Sequence, residues 1–187
     1  MLALVLVPVI FAMEENDVEF ARPGGFALTL DAKTPDGNGP FPAVIIVHGG
    51  SFSRGNKRTY VTPLFELLSS AGFAWFTINY RLAPDHQFPA AVEDVESAVR
   101  WVRTNAAKYH VDARRIALAG ESAGGYLVAY AAQAQRAMRG LRRWWISTVR
   151  MIWYCKPKRG APSRQTRRNQ ARVCWSSWDS KRGGTRV

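Results

Sequence analysis

Apolar positions along the chain follow two periods that succeed one another. Residues 17–21 (DVEFA) and 26–32 (FALTLDA) alternate apolar with polar around Pro23-Gly24-Gly25, which predicts an antiparallel hairpin. Residues 34–42 (TPDGNGPFP) are dense in turn formers and predict a loop. The run AVIIVHGG at 43–50 is continuously apolar and β-branched before its glycines, the pattern of a strand buried on both faces of a parallel sheet. Residues 61–72 (VTPLFELLSSAG) predict a short helix stopped by Gly72, and 73–82 (FAWFTINYRL) a second buried strand. From Pro89 the period lengthens. Val92, Val95, Val99 and Val102 fall on one helical face and Glu93, Glu96, Arg100 and Arg103 on the other. Residues 113–120 (ARRIALAG) predict a third buried strand, and 122–135 (SAGGYLVAYAAQAQ) a helix of small residues. Strands alternating with helices imply a mostly parallel sheet with right-handed crossovers, an α/β architecture.

Beyond residue 135 both periods stop, apart from a short helix around 136–153. Charge divides at the same place. Residues 1–135 carry 11 Lys/Arg against 13 Asp/Glu, net −2, whereas 136–187 carry 15 Lys/Arg against Asp179 alone, net +14. Five of the seven tryptophans (Trp144, Trp145, Trp153, Trp175, Trp178) and both cysteines, Cys155 and Cys174, lie in that second segment. The formal charge of +12 is therefore no property of the patterned part of the chain. Arg, Trp, Cys, Ser and Gly in this mixture are what GC-rich coding DNA yields when read out of frame, and 136–187 is read as an out-of-frame, unstructured tail. The competing reading takes it at face value, as arginines gripping phosphates while tryptophans stack on bases, or as a basic membrane-surface or partner-binding appendage. No nucleic-acid partner is expected on the preferred reading.

At the other end, residues 2–11 are an apolar run, too short for the roughly 20 residues that cross a bilayer. With Ala12 and the acidic residues behind it, 1–12 reads as the remnant of a secretory signal lacking its basic start, which implies a secreted or periplasmic protein. The alternative is a buried first strand in a cytoplasmic protein. Two cysteines without a nearby histidine do not make a four-ligand zinc site, and no metal or organic cofactor is expected. Domain organisation is then a patterned domain at 13–135 between these two flanks.

Candidate chemistry gathers at two strand ends. Ser122 stands in Gly120-Glu121-Ser122-Ala123-Gly124, with a buried strand running in and a helix running out. That strand–turn–helix setting puts a serine hydroxyl on a strained turn as a nucleophile, and the flanking Gly120 and Gly124 leave room for backbone to close around it. Residues 47–52 (VHGGSF) end an earlier strand of the same pattern. Acyl transfer develops an oxyanion that needs fixed N–H donors, and the N–H groups of Gly50, Ser51 and Ala123 are the candidates. His48 is read as a structural residue of this loop, with Gly49 beside it.

On HGGSF (48–52), NYRLAPDHQFPAAVED (79–94) and GESAGG (120–125), in this order, the chain resembles the α/β-hydrolase superfamily. Within it the resemblance is to hormone-sensitive-lipase-like carboxylesterases and bacterial feruloyl and acetyl-xylan esterases, and it covers roughly 17–135. Ser51 departs from the third glycine usual in the lipase branch. The resemblance implies a serine hydrolase of small-molecule carboxylic esters, with Ser122 catalytic and His86 and Asp94 structural. It also implies a triad acid and histidine after the serine. This chain has no histidine beyond His110 and one acid beyond Glu121, so the α/β-hydrolase fold is expected to be truncated after the serine's helix and the chain inactive as written. The strand 113–120 would then lie at the sheet edge. A non-catalytic fragment of the fold, or binding through the basic tail, is the alternative function.

Overall fold

The computed structural model describes residues 12–138 and 151–153, with side chains to residue 133. The apolar segment before residue 12 and the basic stretches 139–150 and 154–187 lie outside the described residues, and with them the signal reading and most of the tail reading. The elements in chain order are β1 (Glu14–Ala21), β2 (Leu28–Lys33), β3 (Phe41–Val47), α1 (Pro63–Ser70), β4 (Ala74–Ile78), α2 (Ala90–Thr104), β5 (Val111–Gly120), α3 (Ala123–Met138) and β6 (Met151–Trp153). They form one mixed sheet of order β1-β2-β4-β3-β5-β6. The hairpin β1–β2 joins antiparallel to β4, and β4, β3, β5 and β6 run parallel.

The continuous apolar runs become strands covered on both faces. Ile45 and Val47 of β3 point into the larger core, where α2 and α3 bring Val95, Val99, Val102 and Val128. Val44 and Ile46, one residue out of phase, point into a smaller core under α1 with Trp75 and Val61. Each such side chain taken wholly from water contributes about 1.5–3 kcal/mol. The smaller core is closed by Phe65 of α1, which stacks on Trp75 with ring centroids 4.2 Å apart.

Three sequence expectations need correction. The strand 113–120 is not at the edge, because β6 pairs with the end of β5, Leu118 opposite Met151 and Gly120 opposite Trp153. The sequence puts 151–153 at the end of a short helix in an otherwise unstructured tail; three residues are too few to show a period, and they form a strand only by pairing with β5. α3 likewise runs on to Met138. On α2, Glu96 does not face solvent but is 8% exposed, with Arg100 at 3.7 Å, and Arg103 is half-buried. The helix packs against β1 as well as α3, so its buried arc is wider than the valine stripe.

Candidate active site

β3 and β5 are neighbours that end side by side, Val47 opposite Gly120, and both chemical motifs start where they stop. Between β5 and α3 the chain turns through Glu121 and Ser122. Ser122 has φ 50°, a left-handed conformation that costs a non-glycine residue about 1–3 kcal/mol. The turn is closed by Gly124 N–H donating to Glu121 O at 2.8 Å and Gly125 N–H to Ser122 O at 3.0 Å, and it is tied to β3 by Glu121 N–H on Val47 O at 3.1 Å. The consequence is an exposed Ser122 side chain at the N-terminus of a 16-residue helix.

The two glycines flanking this turn are required by closeness. A Cβ on Gly124 would stand 2.2 Å from Val47 O and 2.6 Å from His48 O, and one on Gly120 would stand 2.4 Å from Gly124 O. The loop after β3 is bent harder still. Gly50, Ser51 and Phe52 have φ of 124°, 54° and 65°, and Gly50 O accepts N–H bonds from Ser53 and Arg54, both at 3.2 Å. This curl leaves the N–H groups of Gly50 and Ser51, like that of Ala123, without a hydrogen-bond acceptor among the described residues.

His48 lies beneath that loop, 1% exposed. Its ring stacks on Tyr80 with centroids 4.3 Å apart, Nδ1 is 2.7 Å from Gly49 O, and the Tyr80 hydroxyl donates to His48 O at 3.2 Å. Burial holds its imidazole below the ordinary histidine range, against the Gly49 carbonyl bond that favours the charged form. Gly49, also buried, faces Glu121: a Cβ there would meet Glu121 Oε2 at 1.9 Å. That carboxylate oxygen is buried and has no hydrogen-bond partner among the described residues. Burial, with the Glu121 charge adding to it, pushes the Tyr80 phenol up to about 12.

His86 sits in the loop before α2, its N–H on Leu82 O at 3.0 Å and its ring edge-on to Phe26 at 5.2 Å. Asp94, 1% exposed, takes the Arg81 backbone N–H at 2.8 Å and its Nε at 2.9 Å. Two residues on, Ala83 N–H donates to Phe52 O at 2.9 Å, so the segment that Asp94 fixes also holds the loop after β3. His110 is at the opposite end of β5, where its carbonyl accepts Phe41 N–H at 2.7 Å, about 30 Å of strand away from Ser122. The structure thus brings Gly50, Ser51, Gly120, Ser122, Ala123 and Gly124 to one end of two strands. No hydrogen bond among the described residues joins a histidine to the Ser122 hydroxyl.

Sequence reasoning passed over the exposed aromatic side chains of α3 and the rings that meet them. Phe52 and Tyr126 meet edge-on at 6.4 Å, and Phe88 and Tyr130 at 5.7 Å, all four exposed. The spacing of Tyr126 and Tyr130, one helical turn apart on α3 just after the serine, was the available signal. Among the described residues no helix is long and apolar enough to cross a membrane.

A mixed, mostly parallel sheet whose serine-bearing strand–turn–helix abuts a glycine loop on the neighbouring strand defines the α/β-hydrolase fold. The BD-FAE family profile matches residues 30–143, and the chain belongs to that family. It is 40% identical over 113 residues to esterase LipI of Mycobacterium tuberculosis (strain ATCC 25618 / H37Rv), a stretch covering 60% of this chain and 34% of that protein. It is 31% identical over 129 residues to ethyl acetate hydrolase of Pseudomonas putida, covering 67% and 41%. The solved structure of a thermophilic carboxylesterase cloned from a metagenomic library superposes with a TM-score of 0.65 at 29% identity, over 88% of this chain and 53% of that one. The relatives are carboxylesterases, and the chain spans between a third and about half of their length.

Proposed function

We propose that this chain carries the nucleophile and oxyanion-binding half of a hydrolase of small-molecule carboxylic esters. One observation carries the reading: an exposed serine at φ 50° stands beside N–H groups that the fold leaves unused. Ser122 Oγ attacks the ester carbonyl. The carbonyl oxygen becomes an oxyanion held by the N–H groups of Gly50, Ser51 and Ala123, helped by the positive end of the α3 dipole. The tetrahedral intermediate collapses with cleavage of the bond to the alkoxide oxygen, which leaves as the alcohol after taking up the serine proton through solvent water. A second water cleaves the acyl-serine to the carboxylic acid and the free hydroxyl. His48, Gly49, His86 and Asp94 support the loops and touch no reacting atom. The base that should accept the serine proton is the missing part, since the sequence after Ser122 contains no histidine. Turnover by the chain as written is accordingly slow. Export, resting on the apolar run at 2–11, belongs to the same proposal.

Hydrolysis of p-nitrophenyl acetate by the full chain and by Ser122→Ala tests this. Loss of a triad base costs on the order of 10⁶ in turnover and leaves roughly 10³–10⁴ over water from oxyanion binding. The expected result is a weak rate that disappears in Ser122→Ala with an unchanged circular dichroism spectrum. A rate that survives that substitution refutes the serine assignment. A turnover near 10 s⁻¹, ordinary for an enzyme, refutes the missing base.

A further inference from the structure

The loop that carries Gly50 and Ser51 ends on a lysine that has gone inside. Residues 51–56 are all exposed, yet Lys57 is 6% exposed. Its ammonium contacts Asp17 Oδ1, Asp31 Oδ1 at 3.1 Å and Thr29 Oγ1 at 3.4 Å, all on the β1–β2 hairpin. Asp31 is itself 2% exposed, and it also accepts Asp17 N–H at 2.9 Å and Arg58 Nε at 2.7 Å. The Lys57 backbone is held too, its N–H on Asn79 Oδ1 at 2.8 Å and its carbonyl accepting the Thr77 hydroxyl. The hairpin is deformed at this contact. Its register slips between Glu15 and Val18, and Asp17 takes φ 56°.

Burying an ammonium is unfavourable unless partners replace its water. Here they come from strands distant in sequence, and an exposed loop end would have needed none of them. We infer that Lys57 is a positioning residue: clamped by Asp31 and Asp17, it fixes where the N–H groups of Gly50 and Ser51 lie. The inference rests on the proposed reading of those groups as oxyanion donors. Donors act only within about 2.7–3.1 Å of the developing charge, and a displacement near 1 Å can cost on the order of 10² in rate. A loop of exposed residues has little packing of its own to hold such a tolerance. Its fixed points include buried His48 and Gly49 at one end, with Gly55 close against both, Ala83 N–H on Phe52 O and the Phe52 ring on Tyr126 in the middle, and Lys57 at the other end.

The test uses the full chain with Lys57→Met, Lys57→Arg, and Lys57→Met combined with Asp31→Asn, which leaves no buried carboxylate unpaired if the single variant fails to fold. Amide hydrogen exchange at Ser53 and Arg54, whose N–H groups are bonded to Gly50 O, should speed up at least about tenfold in the Met variants while β3 and β4 stay protected, and Lys57→Arg should restore most of the protection. Unchanged exchange in a folded Met variant overturns the inference. Where Ser122-dependent hydrolysis is measurable, kcat should fall about 10- to 100-fold with KM nearly constant, again with rescue by arginine. A rise in KM alone, or no recovery with arginine, also overturns it. Exchange is read without turnover, so a chain with no Ser122-dependent hydrolysis sinks the proposed function while the loop anchoring is still decided.

Discussion

Asp94→Ala tests how the fold supports the candidate site at a distance from it. Asp94 lies on α2 at 1% exposure and receives three donors from one residue: Arg81 N–H at 2.8 Å, Nε at 2.9 Å and Nη2 at 2.8 Å. The Arg81 side chain is 13% exposed, so water cannot take over what the carboxylate provides. Removing one partner of a buried, hydrogen-bonded ion pair costs about 3–5 kcal/mol, because the other charge stays behind. Two contacts soften the loss. Arg81 Nη2 keeps Ala90 O at 3.1 Å and the exposed Glu93 carboxylate at 3.3 Å. The lower end, about 3 kcal/mol, is therefore the expected cost. With a urea m-value of about 1–3 kcal/mol/M, the midpoint should fall by roughly 1–3 M.

Urea titration followed by tryptophan fluorescence measures this, and a second substitution separates the ion pair from lost volume. Combining Asp94→Ala with Arg81→Met removes the stranded guanidinium, and the pair should cost less than the sum of the single variants by more than about 1 kcal/mol. Because Arg81 leads through Leu82 to the Ala83 N–H that holds Phe52 O, any Ser122-dependent hydrolysis should fall in Asp94→Ala even below the unfolding transition. A loss under about 1 kcal/mol, or strict additivity, would refute the ion pair as the anchor of this segment.

Two further outcomes are expected. Gly124→Ala should destabilise by about 3 kcal/mol or more, since its Cβ meets the carbonyl oxygens of Val47 and His48, which are backbone and cannot turn aside. Gly72→Ala, in open space at φ 77°, should cost only about 1–2 kcal/mol, and equal melting temperatures for the two variants would contradict the close approach. Acid should weaken the fold in two windows. His48 is held below its ordinary 6.5 by burial, so its contribution is whole above about pH 6.5 and fades as pH falls below it, the unfolded chain taking the proton first. For Asp31, burial raises the pKa, but the Asp17 N–H, Arg58 and Lys57 outweigh it; for Glu15, bonds from Lys108 and Tyr109 lower the pKa. Their contributions are whole above the ordinary 3.8 and 4.5 and are lost as pH falls through the depressed folded values. Urea midpoints measured against pH should decline below neutrality and drop again below about 4.5, and a midpoint that rises on acidification from pH 7 to 5 would refute the His48 assignment.

What the sequence made legible is whatever was enforced locally. The two-sided burial of β3 is written in its unbroken Ala43–Val47 run, and the serine turn in two glycines that no other residue could replace. What stayed hidden depends on partners far away in sequence. Lys57 reads as one more surface charge, because the residues that draw it inward, Asp17 and Asp31, are 40 and 26 positions earlier. Glu96 was assigned to solvent by a single-face helical pattern, although α2 is packed on two sides. β6 is too short to have a period and exists as a strand only beside β5. The Glu121 oxygen that has no partner among the described residues is invisible for a different reason: its burial is set by Gly49, which the sequence offers merely as part of a glycine pair.

This division follows the chemistry. Stabilising an oxyanion needs a few backbone N–H groups held rigidly, and two adjacent strand ends can supply them from two short stretches, 47–57 and 120–124. Each stretch has its own fixing: the serine turn is closed on β3 by Glu121 N–H, and the glycine loop is held by Ala83 in its middle and by Lys57 at its end. None of those bonds calls on a residue beyond 125. Proton transfer is a separate requirement, met by a side chain that must reach Ser122 from elsewhere, and among the described residues no hydrogen bond joins His48, His86 or His110 to its hydroxyl. On the proposed function the oxyanion donors stand ready while the serine lacks its base, which is why a slow but Ser122-dependent rate, rather than no rate, is the expected behaviour.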